Sequence, residues 1–148
     1  MIEVTKIIEW DMGHRVPNHK SKCRNLHGHR YRLELTVTGD LIDREGDSSE
    51  GMVFDFSDIK ALMTTHIHDV LDHGFMYAES DPIMTHLFLE HEPAMDLHAI
   101  PVPFVPTAEN LAVWCYEQLV KHMPASITIT RVRIFETPNS WADYTPTA

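Results

Sequence analysis

His27-Gly28-His29-Arg30-Tyr31-Arg32-Leu33-Glu34-Leu35-Thr36-Val37-Thr38 alternates in character along its length. Tyr31, Leu33, Leu35 and Val37 fall on one parity; Arg32, Glu34, Thr36 and Thr38 fall on the other. Successive side chains of a strand point to opposite faces, so this stretch reads as a strand with one buried face and one solvated face. His27 and His29 share the buried parity. Upstream, Ile2, Val4, Ile8, Trp10 and Met12 also share one parity, with Lys6 as the exception, and His14 falls in phase with them. Paired as a hairpin, the two strands carry His14, His27 and His29 at the end of one buried face.

Working outward, Gly39 to Gly51 is polar and reads as a connection. Ser57 or Asp58 then caps a helix in which Ile59, Leu62, Met63, Ile67, Val70 and Leu71 recur at helical spacing. Asp72-His73-Gly74 ends it, with Gly74 as the stop. Residues 74–105 are acidic and contain four prolines, with a fifth at Pro106, and read as an extended insertion with one short helix around Ile83–Leu89. Thr107 is a good N-cap for a second helix, Glu109 suits its first turn, and Leu111, Cys115 and Leu119 form its apolar stripe. The last long strand starts near Ile127. Its apolar parity slips between Ile129 and Val132, which predicts a bulge near Thr130-Arg131 and puts Glu136 on the inward parity. A further strand is expected around Trp141–Tyr144. The pattern is α+β: an antiparallel sheet with two helices on one face, in a single domain over 1–148.

Composition narrows the function classes. The net charge of −10 argues against nucleic-acid binding. No apolar run approaches the roughly 20 residues of a membrane span, and the N-terminus lacks the order of a signal peptide. Cys23 and Cys115 form no disulfide framework, so a reducing cytoplasm is expected. Between His14 and Arg32 stand Arg15, Lys20, Lys22, Arg24, Arg30 and Arg32, with no acid among them, whereas Ala61 to Val120 contains no Lys or Arg. This basic segment is either a solvated loop or an anion site suited to a phosphorylated small molecule.

Three imidazoles with an open fourth position form the pattern of a catalytic zinc site, although ligand type alone also admits iron or another divalent ion. Cys23 is flanked by Lys20, Lys22 and Arg24, cations that favour a thiolate able to act as base or nucleophile; the bland alternative is an incidental loop cysteine. Asp72 beside His73 can orient the imidazole and stabilise its protonated form. His66-Ile67-His68-Asp69 offers a competing metal motif, but neighbouring positions on a helix do not converge on one ion. The insertion histidines 86, 91 and 98 read as solvated. Glu136 on a buried parity needs a partner: either a ligand with two N–H donors, such as an aminopyrimidinone edge, or Arg131 or Arg133.

Six pieces together resemble one family. They are Trp10-Asp11-Met12-Gly13-His14-Arg15, Cys23-Arg24-Asn25-Leu26-His27-Gly28-His29, Val53-Phe54-Asp55-Phe56-Ser57-Asp58-Ile59-Lys60, Leu71-Asp72-His73, Pro106-Thr107-Ala108-Glu109-Asn110 and Glu136-Thr137-Pro138. The chain is similar to the 6-pyruvoyl-tetrahydropterin synthase / 6-carboxy-5,6,7,8-tetrahydropterin synthase (QueD) family. The resemblance implies the tunnelling fold (T-fold), with subunit sheets joined into an oligomeric barrel, commonly a hexamer, and active sites at subunit interfaces. It implies His14, His27 and His29 as Zn2+ ligands, and Cys23, Asp72 and His73 as the proton-transfer set. It also implies Glu136 as the pterin anchor, with Thr107 and Glu109 in a second pterin-side motif. The three residues between Cys23 and His27 look like the carboxy branch, which implies conversion of 7,8-dihydroneopterin triphosphate to 6-carboxy-5,6,7,8-tetrahydropterin with release of triphosphate and acetaldehyde. This step belongs to the route to queuosine and other 7-deazaguanines. The pyruvoyl-type reaction and a non-catalytic zinc- or pterin-binding protein are the alternatives. The chain departs from the family in Met12-Gly13 before His14, in Phe75-Met76-Tyr77 after Gly74, and in a longer insertion.

Overall fold

A computed structural model describes residues 1–147, and the side chains of all of these except residues 91–95. The chain runs β1 (Glu3–His14), β2 (His27–Thr38), α1 (Phe56–Met63), α2 (Asp69–Leu71), β3 (Phe75–Ala78), α3 (Pro82–Met95), β4 (Ala99–Val102), α4 (Ala108–Val120), β5 (Thr128–Thr137) and β6 (Ser140–Tyr144). One six-stranded sheet has the order β4-β3-β1-β2-β5-β6.

The hairpin expected from parity forms the centre of this sheet. β1 pairs antiparallel with β2, setting Ile8 opposite Leu33, Trp10 opposite Tyr31, Met12 opposite His29 and His14 opposite His27. Trp10, Tyr31, Leu33, Leu35 and Val37 are all buried; Ile2, counted to the same face, lies before the strand and is half exposed. β2 pairs antiparallel with β5, and the register skips Thr130, the bulge expected from the parity slip. The skip returns Ile127 and Ile129 to the buried side together with Val132 and Ile134.

The first helix starts earlier than its sequence suggests. Asp55, not Ser57 or Asp58, is the N-cap: its Oδ1 accepts from the Ser57 amide at 2.7 Å and from the Ser57 hydroxyl at 2.6 Å. Ile59, Met63, Ile67 and Leu71 bury themselves at intervals of four, while Val70 is exposed. A stripe spaced by four drifts around a regular α-helix. The wider π turn at Thr64–His68 brings it back onto the sheet. The stop is also displaced by one residue. His73, with φ 61°, takes the left-handed conformation expected of Gly74. Gly74 answers a different need, since a Cβ there would stand 2.3 Å from Ile100 Cδ1.

The insertion departs most from expectation. It adds β3 and β4 as parallel strands at one sheet edge, and its helix is longer than Ile83–Leu89. The sheet is therefore mixed: antiparallel at its centre and parallel at one edge. Tyr77, Met84 and Phe88 form a second small core with Phe75, Leu87, Leu97 and Ala99 packed against it. Short parallel strands carry no alternation to read: Met76, Tyr77 and Ala78 are buried in succession. No helix of the described residues is long and apolar enough to cross a membrane.

The central strand carries the main core. Leu33→Ala leaves a cavity at a site of 0% exposure and is expected to cost about 3 kcal/mol of unfolding free energy. Urea denaturation checks this; a loss below about 1 kcal/mol would mean that the face can collapse around the gap.

Candidate active site

The hairpin places three imidazoles together. The ring centroids of His14 and His27 are 4.6 Å apart, those of His14 and His29 5.1 Å, and those of His27 and His29 5.0 Å. Each ring offers a nitrogen, and the three ligating atoms lie within 4.8 Å of one another. The orientations have identifiable causes. His14 Nδ1 donates to the Pro106 carbonyl at 2.7 Å, and His27 Nδ1 donates to the Asn25 carbonyl at 2.8 Å. Both bonds leave Nε2 with its lone pair free. The Nε2 atoms of His14, His27 and His29 are all buried without a hydrogen-bond partner. Buried polar atoms are normally satisfied, so three orphans converging on one point mark a place for a cation. The donor set fits zinc or a similar divalent ion.

Electrostatics favours the neutral rings that a metal needs. Burial pushes His14 down to about 4, outweighing its bond to Pro106, with the neighbouring His27 and His29 adding to the effect. Burial also lowers His29, partly opposed by the Glu136 carboxylate. Glu136 Oε1 stands 3.3 Å from His29 Nε2, without the alignment of a hydrogen bond. Arg131 and Arg133, the alternative partners, turn instead to Glu34, and Arg133 also binds Asp143. Tyr31 underlies the cluster, its ring 5.9 Å from His14 and 5.7 Å from His29. Burial raises its phenol, with Glu136 and Cys23 contributing in the same direction.

The remaining nominated residues divide between two cavities. Cys23, Thr107, Glu109 and Glu136 line one of about 260 Å³, together with His19 and Ser140. Cys23 sits in a short 3-10 turn over Lys22–Arg24. Thr107 caps α4 as expected, accepting from the Asn110 amide at 3.3 Å, which leaves its hydroxyl proton free. His73 lines a different cavity of about 410 Å³, with Asp11, Gly13, Gly28 and Arg30. Those four have the outward parity of β1 and β2, whereas the histidine cluster has the inward one, although Met12 and His29 also border this cavity. His73 Nδ1 donates to Asp72 Oδ2 at 2.9 Å, the pair expected from the dipeptide. Asp72 Oδ1 accepts from the Asp11 amide at 3.1 Å, and the His73 amide donates to the Asp11 carbonyl at 2.7 Å. The His73 bond, foremost, holds the Asp72 carboxyl below the usual range.

Several other readings are sharpened. Half of the basic segment is already paired: Arg15 with Asp81, Arg30 with Asp11 and Arg32 with Glu34. Among the described residues no ion pair engages Lys20, Lys22 or Arg24. Cys115 is buried, as expected. His66 stacks on His122 with centroids 3.6 Å apart, and His68 turns to Asp69, so this run does not form a metal site. His86 and His98 are exposed, and the His91 side chain lies outside those described. Sequence reasoning missed Asn25 and Pro106, which act through backbone carbonyls that no side-chain pattern reveals. Tyr31 was legible only as core, although its parity already put it beneath His29.

A family model described as 6-pyruvoyl tetrahydropterin synthase matches residues 3–147. The chain belongs to this family. The 6-carboxy-5,6,7,8-tetrahydropterin synthase of Haemophilus influenzae is 33% identical over 144 residues, covering 97% of this chain and 99% of that protein. The protein of the same name from Aquifex aeolicus is 32% identical over 162 residues, covering 96% of each. Among solved structures, an uncharacterized protein of Wolinella succinogenes superposes with a TM-score of 0.82 at 25% identity, covering 99% of this chain and 98% of that one. Caenorhabditis elegans 6-pyruvoyl tetrahydropterin synthase gives 0.68 at 23% identity over 99% and 96% of the two chains, a likeness of fold. The fold is thus the α+β T-fold of the tetrahydropterin synthases, with a histidine cluster able to hold a metal.

Burial of His14 makes the metal-free protein acid-sensitive. Above about pH 6.5 neither state holds the His14 proton, and the stability is fully present. Between about 6.5 and about 4 the unfolded chain takes up the proton and the folded one does not, so stability falls, and below about 4 the loss is complete. Urea midpoints of metal-free protein between pH 7 and 4 are expected to fall more steeply than those of His14→Gln, by a difference of a few kcal/mol at pH 4. Parallel pH profiles would refute this role of His14.

Proposed function

We propose that the chain is a zinc-dependent 6-carboxy-5,6,7,8-tetrahydropterin synthase. It converts 7,8-dihydroneopterin triphosphate to 6-carboxytetrahydropterin with release of triphosphate and acetaldehyde, a step toward queuosine and other 7-deazaguanines. The observation that carries this reading is the set of three buried, unpartnered imidazole nitrogens beside a cavity holding Cys23, Thr107, Glu109 and Glu136. The carboxy branch is favoured by relatives of that name, 33% and 32% identical across nearly the whole chain. The short interval from Cys23 to His27 supports the same branch. The pyruvoyl reaction is the second reading, since the fold neighbour from Caenorhabditis elegans carries that name.

The chain's own residues have separable tasks. His14, His27 and His29 hold the zinc ion, which when bound supplies Lewis-acid polarisation of the substrate side chain. Glu136 accepts the two N–H groups of the aminopyrimidinone edge, and the free hydroxyl proton of Thr107 and the carboxylate of Glu109 complete the ring's polar contacts. Cys23 moves a proton on one side of the substrate side chain. His73 moves one on the other side, with Asp72 fixing its tautomer and stabilising its charged form. Lys20, Lys22 and Arg24, the unpaired part of the basic segment, are assigned to the triphosphate. Cys23 and His73 open onto separate cavities of one chain. A homo-oligomer, a hexamer in this reading, joins the Asp72–His73 pair of one chain to the Cys23 cavity of another.

Incubation of zinc-loaded protein with 7,8-dihydroneopterin triphosphate is expected to yield acetaldehyde and 6-carboxytetrahydropterin by mass spectrometry. A pyruvoyl product without acetaldehyde would select the second reading; pterin binding without turnover would leave a binding protein. Cys23→Ala is expected to lower kcat by more than about 100-fold while one zinc per chain remains bound. Unchanged turnover would remove Cys23 from the chemistry.

A further inference from the structure

Arg15 follows the metal-cluster residue His14, and the proposed chemistry gives it no task. Its side chain is nevertheless only 12% exposed and fully engaged. Nε donates to Asp81 Oδ2 at 2.6 Å and Nη2 to Asp81 Oδ1 at 3.3 Å. Nη1 donates to the Arg24 carbonyl at 3.3 Å. The Asp81 side chain is 0% exposed, and its Oδ1 also accepts from the amides of Ile83 and Met84 in the first turn of α3. A buried carboxylate is costly unless its charge and lone pairs are met. A guanidinium meets them bidentately and keeps a further donor free, which an ammonium cannot do with the same geometry.

That further donor grips the cysteine loop. Arg24 directly follows Cys23, whose own carbonyl accepts from the Val16 amide at 2.8 Å. No residue of the Lys22–Arg24 turn is buried, and Leu26 beside it is exposed. The turn therefore has no apolar anchor, and its place is set by polar links: back to residues 15 and 16, and from its end at Asn25 to the His27 ring. One of these links continues through Asp81 into α3, the helix of the insertion.

We propose that Arg15, locked by Asp81, is a positioning residue that holds the Cys23 turn in the cavity it shares with Thr107 and Glu136. The insertion then acts on the site by fixing the cysteine rather than by touching substrate. The proposal rests on Cys23 being the reactive group of the proposed function.

Arg15→Lys separates anchoring from grip, because one ammonium can pair with Asp81 but does not also span to Arg24. Two readouts are needed: the rate of Cys23 alkylation by iodoacetamide, with buried Cys115 silent, and kcat and KM for 7,8-dihydroneopterin triphosphate. The folded, zinc-loaded variant is expected to alkylate at least about threefold faster and to lose about tenfold in kcat, with KM within about twofold. Asp81→Asn, which retains an acceptor for the α3 amides, is expected to behave alike and serves if Arg15→Lys does not fold. An unchanged alkylation rate in either folded variant overturns the proposal, as does a loss carried by KM alone. If the unaltered protein fails to turn over the substrate, the synthase reading falls, and the alkylation rates still decide the role of Arg15.

Discussion

The register of β1 against β2 is the constraint on which the rest depends. Side chains alternate with a period of two, so a slip by one residue would turn every buried side chain of a strand to solvent. Trp10 opposite Tyr31 and Ile8 opposite Leu33 make such a slip prohibitive, because each is a large group buried on the helix-covered face. The same register sets His14 opposite His27 and Met12 opposite His29. The histidine cluster is thus the continuation of the core by other residues, and the hydrophobic energy that fixes the core also fixes the cluster. Gly13 opposite Gly28 lets the strand ends close. A Cβ at Gly28 would come within 2.9 Å of the Met12 carbonyl and push apart the two strands that carry the ligands.

Such a cluster is unfavourable in the metal-free chain. Three buried nitrogens without partners forgo hydrogen bonds to water, and His27 lowers the tendency of both His14 and His29 to take a proton. The fold tolerates this because Pro106 and Asn25 satisfy the opposite nitrogens of His14 and His27. The same two bonds fix the tautomers. Burial therefore acts twice: it removes competing water from the rings and favours the neutral forms of His14 and His29, and both effects serve a cation better than a proton.

Much of this was legible because strand parity is a long-range rule written locally. Two apolar alternations, with histidines in phase at their ends, are enough to converge three rings. The bulge at Thr130 could be read from the slip between Ile129 and Val132. Thr107 announced its cap. What escaped notice depends on partners distant in sequence or on backbone. Arg15 looked like an anion-binding residue because Asp81 lies 66 positions away. Asp55 was passed over as a cap for Ser57, which is its hydrogen-bond partner. The left-handed turn fell to His73 because close packing against Ile100, not conformational freedom, claims Gly74. The parallel strands β3 and β4 were hidden by runs buried without alternation and by Pro101.

Residues 11 to 15 link the Asp72–His73 pair, the start of α4 and the Cys23 loop to the end of β1. The backbone of Asp11 holds Asp72 through its amide and His73 through its carbonyl. The amide of Gly13 donates to the Gly74 carbonyl, fixing the turn that follows. His14 enters the histidine cluster and reaches the start of α4 through Pro106. Arg15 carries the loop of Cys23. Groups brought from a helix end, a surface loop and a helix start are thus referenced to one central strand, which pairs on both sides and buries Trp10 and Met12. Loops alone would place these groups with the looseness of their own motion. Tying each to the same short stretch lets its position inherit the stiffness of the sheet, so the Asp72–His73 pair, the histidine cluster and the Cys23 loop are each held by one strand rather than by loops.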